Sequence, residues 1–162
     1  MIEKNKFLKE KFLSHGVVEN KSEKTFNRVE DGWRPKNNLA ELRLLIRELV
    51  WEKSDEYRSR TNSKISDYAV IEMCCRIPQD TIKKAINGRY NASRNFLAKF
   101  CVGLKLGIEK SNELFRIHSG ELSLTNDFDY IIYHALKTKD DIDYFIEEVH
   151  EYIGINLDRD RA

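Results

Sequence analysis

A single residue, Ile77, stands between Arg76 and Pro78. Upstream, Ser66 opens an apolar-periodic run of Val70, Ile71, Cys74 and Cys75 that closes at Arg76. Downstream, Pro78 opens a second helical run that reaches Asn87. Proline is well tolerated in a first helical turn, where its missing N–H would have no intrahelical partner. Gly88 then stops the run, because glycine readily takes the left-handed conformation that ends helices. A link this short makes the two helices turn sharply against each other. The spacing puts Ile82, Ala85 and Ile86 on one side of the second helix, and Asp80, Lys83, Lys84 and Asn87 on the other. An inward apolar face and an outward polar, basic face are what a helix-turn-helix requires of its second helix.

The rest of the chain also reads as helix. With 7 glycines and 2 prolines in 162 residues, there is little turn material, and the expected class is all-α. A first helix starts near Leu39, where Asn38 and Glu41 have capping-box spacing and Leu42, Leu45, Ile46, Leu49 and Val50 form a stripe. That pattern fades between Glu52 and Asn62, which reads as a frayed end or a loop. Ser66 is the expected cap of the second helix, with Ile65 and Val70 as a hydrophobic staple. Ser93 caps a fourth helix bearing Phe96, Leu97, Phe100, Cys101 and Leu104. Helices are then expected over Glu109–Ile117, Phe128–Leu136 and Asp140–Ile153. The last sets Ile142, Phe145, Ile146, Val149 and Ile153 against Asp143, Glu147, Glu148 and Glu151. Residues 1–36 read as a polar extension with 9 basic and 6 acidic side chains. Within it, Phe7, Leu8 and Phe12 suggest a short amphipathic helix over residues 2–13, and Trp33 and Pro35 are candidate anchors. The expected organisation is extension 1–36, helix-turn-helix domain 37–120 and C-terminal helical extension 121–162.

A formal net charge of +1 hides a gradient. Residues 1–75 hold 15 basic and 13 acidic side chains, residues 76–105 hold 7 and 1, and residues 106–162 hold 6 and 13. The positive charge thus concentrates around the sharp turn and the helix after it, a pattern associated with nucleic-acid contact. On charge alone, a solvated basic face explains it equally well.

Other chemistries find little support. Cys74, Cys75 and Cys101 are odd in number and lack CxxC spacing, so they read as core filling rather than as a disulfide framework or a redox sensor. His15, His118, His134 and His150 form no ligand pattern, and neither metal nor cofactor is expected. No Ser/His/Asp or Cys/His arrangement and no glycine-rich phosphate loop occurs, so the chain is not expected to be an enzyme. No apolar run approaches the ~20 residues of a membrane span. The start MIEKNKFLKEKF lacks a signal-peptide core, which gives the expectation of a cytoplasmic protein.

The stretch IPQDTIKKAINGRYNASRNFLAKFCVGLKL, from Ile77 to Leu106, resembles the helix-turn-helix core of the phage-repressor-like, XRE-type transcriptional regulators. The likeness rests on an apolar residue before the turn, a hydroxyl-Ile pair, a glycine closing the recognition helix, a basic residue, a serine cap and a leucine-rich fourth helix. SNELFRIHSGEL (Ser111–Leu122) extends it, so that the core of the resemblance covers residues 66–120. It implies that Gln79, Asp80 and Lys84 read bases, toward adenine, cytosine N4 and guanine respectively. Lys83 and Asn87 share that outer face. Arg89, Asn91 and Arg94 would grip phosphate, with the Ser93-capped helix start open to phosphate as well. Tyr90 would reach the sugar-phosphate backbone or pack inward. Two departures stand out. Glu72 occupies a position where the family has a small residue, and would loosen packing or pair with Lys84 or Arg76. Arg76 stands where the family often has glycine.

The expected function is therefore a sequence-specific, duplex DNA-binding transcriptional regulator that reads the major groove with residues 78–87. The last helix would pair with a second copy if its apolar side is not covered by its own domain. The alternative is a protein-interaction module on the same fold without DNA binding, an inhibitor, antitoxin-like partner or corepressor, favoured by the acidic C-terminal third and by Glu72 and Asp80.

Overall fold

The computed structural model describes residues 37–159 of the chain. The expectations for the extension 1–36, its helix over 2–13 and the anchors Trp33 and Pro35 lie outside the described residues. Seven α-helices are described: α1 Asn37–Thr61, α2 Asp67–Cys75, α3 Gln79–Asn87, α4 Arg94–Gly103, α5 Ile108–His118, α6 Asp127–Thr138 and α7 Ile142–Ile153. A short 3₁₀ turn, Leu157–Arg159, follows. Among the described residues there is no strand, and the fold is all-α.

α1 begins at Asn37, so Asn38, the expected cap, already lies inside the helix; its side chain is outside what is described. Leu42, Ile46, Leu49 and Val50 are buried as their spacing predicts. The helix does not fray after Glu52 but runs on to Thr61. Polar contacts take over where the apolar stripe ends. Buried Ser54 donates to the Asp67 carbonyl at 3.3 Å, and Arg58 pairs with Asp55 and Asp67 and donates to the Ile65 carbonyl. These contacts also fix the start of α2, where the Ser66 hydroxyl accepts from the Ala69 N–H at 3.2 Å.

The sharp link forms as predicted from its length. Arg76 ends α2 in the left-handed region (φ 59°, ψ 38°), Ile77 is buried, and Pro78 leads into α3. The turn is clasped from the far end of the chain. Arg76 bonds Asp143 of α7 at 2.5 Å and Asp158 at 2.9 Å. Buried Lys99 of α4 donates to the carbonyls of Arg76 at 3.3 Å and Leu157 at 3.0 Å. One contiguous apolar core runs from Leu42 through Ile71, Ile82, Phe100 and Phe115 to Phe145 and Leu157. The C-terminal helices thus pack into the same core as α2 and α3.

A left-handed backbone costs a non-glycine residue roughly 1–2 kcal/mol, whereas exposed ion pairs contribute roughly 0–1 kcal/mol. The Arg76 pairs are exposed, and the Lys99 contact is to main chain. Arg76→Gly is therefore expected to change the unfolding free energy by less than about 1 kcal/mol in urea titration.

Candidate nucleic-acid interface

α3 owes its orientation to Ile82, Ala85 and Ile86, all buried in the core. Its opposite face leaves Asp80, Lys83, Lys84 and Asn87 exposed, with Gln79 half-buried at the start. Gly88 closes the helix at φ 82°, and its N–H bonds the Lys84 carbonyl. Arg89 and Asn91 follow, both exposed. The charged outer face, the glycine stop and the basic loop thus follow one another directly along the chain, all exposed.

Several of these side chains have partners within the protein. Gln79 Nε2 donates to Glu72 Oε1 at 2.8 Å, so Glu72 engages the first residue of α3 rather than Lys84 or Arg76. Lys84 pairs with Asp80 one turn earlier at 3.1 Å, which places a cation beside the acid that suits a polyanion least. Both are exposed, so this pair is weak and open to exchange for another partner. Lys83 Nζ lies 5.2 Å from the centroid of the Tyr68 ring, a cation–π distance.

Arg94 is placed differently from what the resemblance implies. Its Nε and Nη2 make a fork with Asp129 at 3.2 and 2.8 Å, and Nη1 donates to Ser119 Oγ at 2.7 Å and the Gly120 carbonyl at 3.0 Å. The guanidinium also lies over the Phe115 ring. With these donors turned inward, Arg94 joins α4 to α5 and α6, and its side chain is not presented as a phosphate grip. Tyr90 packs rather than reaching outward. Its ring meets Phe96 edge-on at 5.9 Å, and its hydroxyl bonds Ser93, whose Oγ caps α4 through the Phe96 N–H at 3.0 Å.

Two residues that motif reasoning passed over border this surface. Arg43 and Arg47 lie one turn apart on α1, on the flank facing the end of α3. Arg47 Nη2 reaches the Ile86 carbonyl at 3.5 Å, and the Arg43 guanidinium lies beside Gly88. Their i, i+4 spacing at the edge of the α1 stripe was the only available signal, and it does not say which helix they would face.

The apolar side of α7 is covered by the chain's own core, since Ile142, Phe145, Ile146 and Val149 are all buried. The condition set for pairing through that helix is therefore not met. Among the described residues, the large apolar side chains left exposed are Leu39, Leu44 and Trp51 of α1, Met73 of α2 and Leu124.

Cys75 and Cys101 are fully buried, and burial pushes both thiols up, Cys101 to about 12. Half-buried Cys74 is raised by the same cause. Thiolates are the reactive form, so this environment suits packing rather than redox chemistry. Among the described residues, no group of three His, Cys, Asp or Glu is placed to hold a metal ion, and no helix is long and apolar enough to cross a membrane. Compared with models of known protein families, with curated proteins and with solved structures, the chain matches none of them.

Proposed function

We propose that this chain is a cytoplasmic transcriptional regulator that binds duplex DNA by laying α3 in the major groove. The reading rests on one observation: α3 buries Ile82, Ala85 and Ile86 and exposes Asp80, Lys83, Lys84 and Asn87, with exposed Arg89 and Asn91 directly after its glycine stop. An α-helix fits the major groove, and such side chains match base edges and phosphates. In this reading Lys84 leaves Asp80 for guanine O6/N7, which frees Asp80 to accept from a cytosine amino group on the neighbouring pair. Gln79 reads adenine if it leaves Glu72. Lys83, Arg89 and Asn91 hold the backbone.

Selection from a random duplex pool with the purified protein tests this directly. A recurring site is expected, with an affinity that falls with salt. The two cations assigned to phosphate, Lys83 and Arg89, contribute roughly −2 to the log–log slope. Lys84→Ala is expected to change which base is preferred, whereas Arg89→Ala weakens all duplexes by one factor. Binding that ignores salt, or no selection at low salt, defeats the proposal.

A second reading has its own observation. Gln79 and Lys84 are satisfied within the protein by Glu72 and Asp80, while Leu44, Trp51 and Met73 are exposed elsewhere. A protein-binding module on this fold accounts for both. Co-purification of a stoichiometric protein partner, with no duplex selected, supports it.

A further inference from the structure

Two sets stand out among the arginines of the described fold. Arg58, Arg76, Arg94 and Arg116 each pair with a carboxylate. Arg43, Arg47 and Arg89 meet none among the described residues, and they gather around the C-terminal end of α3. Arg47 donates weakly to the Ile86 carbonyl there. A Cβ on Gly88 would sit 3.1 Å from Arg43 Cζ and 3.3 Å from its Nη1, so the guanidinium lies against the residue that precedes exposed Arg89. Beside it, a shallow cleft between α1 and the α3–α4 loop is lined by Leu42, Arg43, Ile46, Tyr90 and Asn91.

This arrangement has two electrostatic consequences. The carbonyl end of a helix carries partial negative charge, which repels a polyanion. Two guanidinium groups placed against that end offset it. They also extend the cationic surface from the loop onto α1, where Arg43 and Asn91 face one cleft with donors that suit phosphate oxygens.

We propose that Arg43 is a phosphate-contacting residue, and that the cleft between α1 and the α3–α4 loop seats a backbone phosphate of the duplex beside the one held by Arg89. The inference rests on the DNA-binding reading and adds α1 to the interface. Without α1, the protein would grip the backbone only through α3 and the loop after it.

The test is a salt titration of duplex affinity with the full-length protein and three forms: wild type, Arg43→Gln and Arg43→Lys. Neutralising Arg43 is expected to reduce the magnitude of the log–log slope by about 0.9, which corresponds to a loss of about eightfold near 0.1 M salt. The loss is the same for preferred and unrelated duplexes. Arg43→Lys keeps the wild-type slope, because it keeps the charge. A role confined to packing against Gly88 moves the melting temperature and leaves the slope alone. If Arg43→Gln does not fold, Arg43→Met keeps the aliphatic stem in the cleft and serves in its place. An unchanged slope in the neutral variant, or an equal slope loss in Arg43→Lys, overturns the inference while leaving the α3 reading intact. Wild-type protein that binds no duplex overturns both.

Discussion

Arg94→Ala is expected to lower the free energy of unfolding by about 3–5 kcal/mol in urea titration. The reason lies in what stays behind. Asp129 is almost wholly buried, with 7% of its side chain exposed, and Arg94 supplies a fork to both of its carboxylate oxygens. The Ser123 N–H also donates to that carboxylate, at 3.0 Å, but carries no charge. Deleting the guanidinium therefore strands a buried anion, which costs far more than the pair itself contributes. It also strips donors from Ser119 and the Gly120 carbonyl. Arg94→Lys is expected to recover only part of the loss, because a point charge does not reproduce the planar fork. Removing both charges together, as Arg94→Met with Asp129→Leu, is expected to be milder than Arg94→Ala alone. A phosphate-gripping Arg94 gives the opposite pattern: near-native stability and a uniform loss of duplex affinity. Measuring unfolding and binding on the same variant separates the two.

That contrast shows where the sequence was legible. Helix positions came from local information: apolar spacing placed α3, Ser66 and Ser93 marked two helix starts, and Gly88 marked a stop. Each of these signals acts over about four residues, which is the range of helix periodicity and capping. The misplacements share a different cause. Arg94 reads as loop-edge basic charge until Asp129, 35 positions away, is brought against it. Arg76 reads as a departure from glycine until Asp143 and Asp158, 67 and 82 positions on, meet it at the turn. The run from Glu52 to Thr61 reads as fraying because its helix is held by one ion pair and hydrogen bonds to the next element rather than by an apolar face. Likewise, the apolar side of α7 was visible in its spacing, but its spacing does not say that the same core covers it. Charge says that a residue seeks a partner. It does not say whether that partner is a distant carboxylate or a ligand.

Gly103→Ala is expected to destabilise the protein by about 1–3 kcal/mol, against the usual direction for such a change. Within a helix, glycine to alanine ordinarily stabilises by up to about 1 kcal/mol, because glycine has more backbone freedom to lose. Gly103 lies in the last turn of α4, where that gain is available in principle. The neighbouring helix forbids it. A Cβ at this position would stand 2.5 Å from the Cys74 carbonyl oxygen and 2.6 Å from both the Cα and the Sγ of Cys75. Two of these three atoms are main chain, so no rotamer change relieves the contact, and α2 has to move away from α4. α2 carries the turn at Arg76 and Ile77, so the same displacement shifts the start of α3. Cys75→Ala in the Gly103→Ala background tests the argument. It removes only the Sγ contact and is expected to restore little. If the double variant recovers fully, the clash was with the side chain and the helices tolerate the methyl group. If Gly103→Ala alone raises the unfolding free energy, α2 and α4 do not approach as closely as the backbone contact requires.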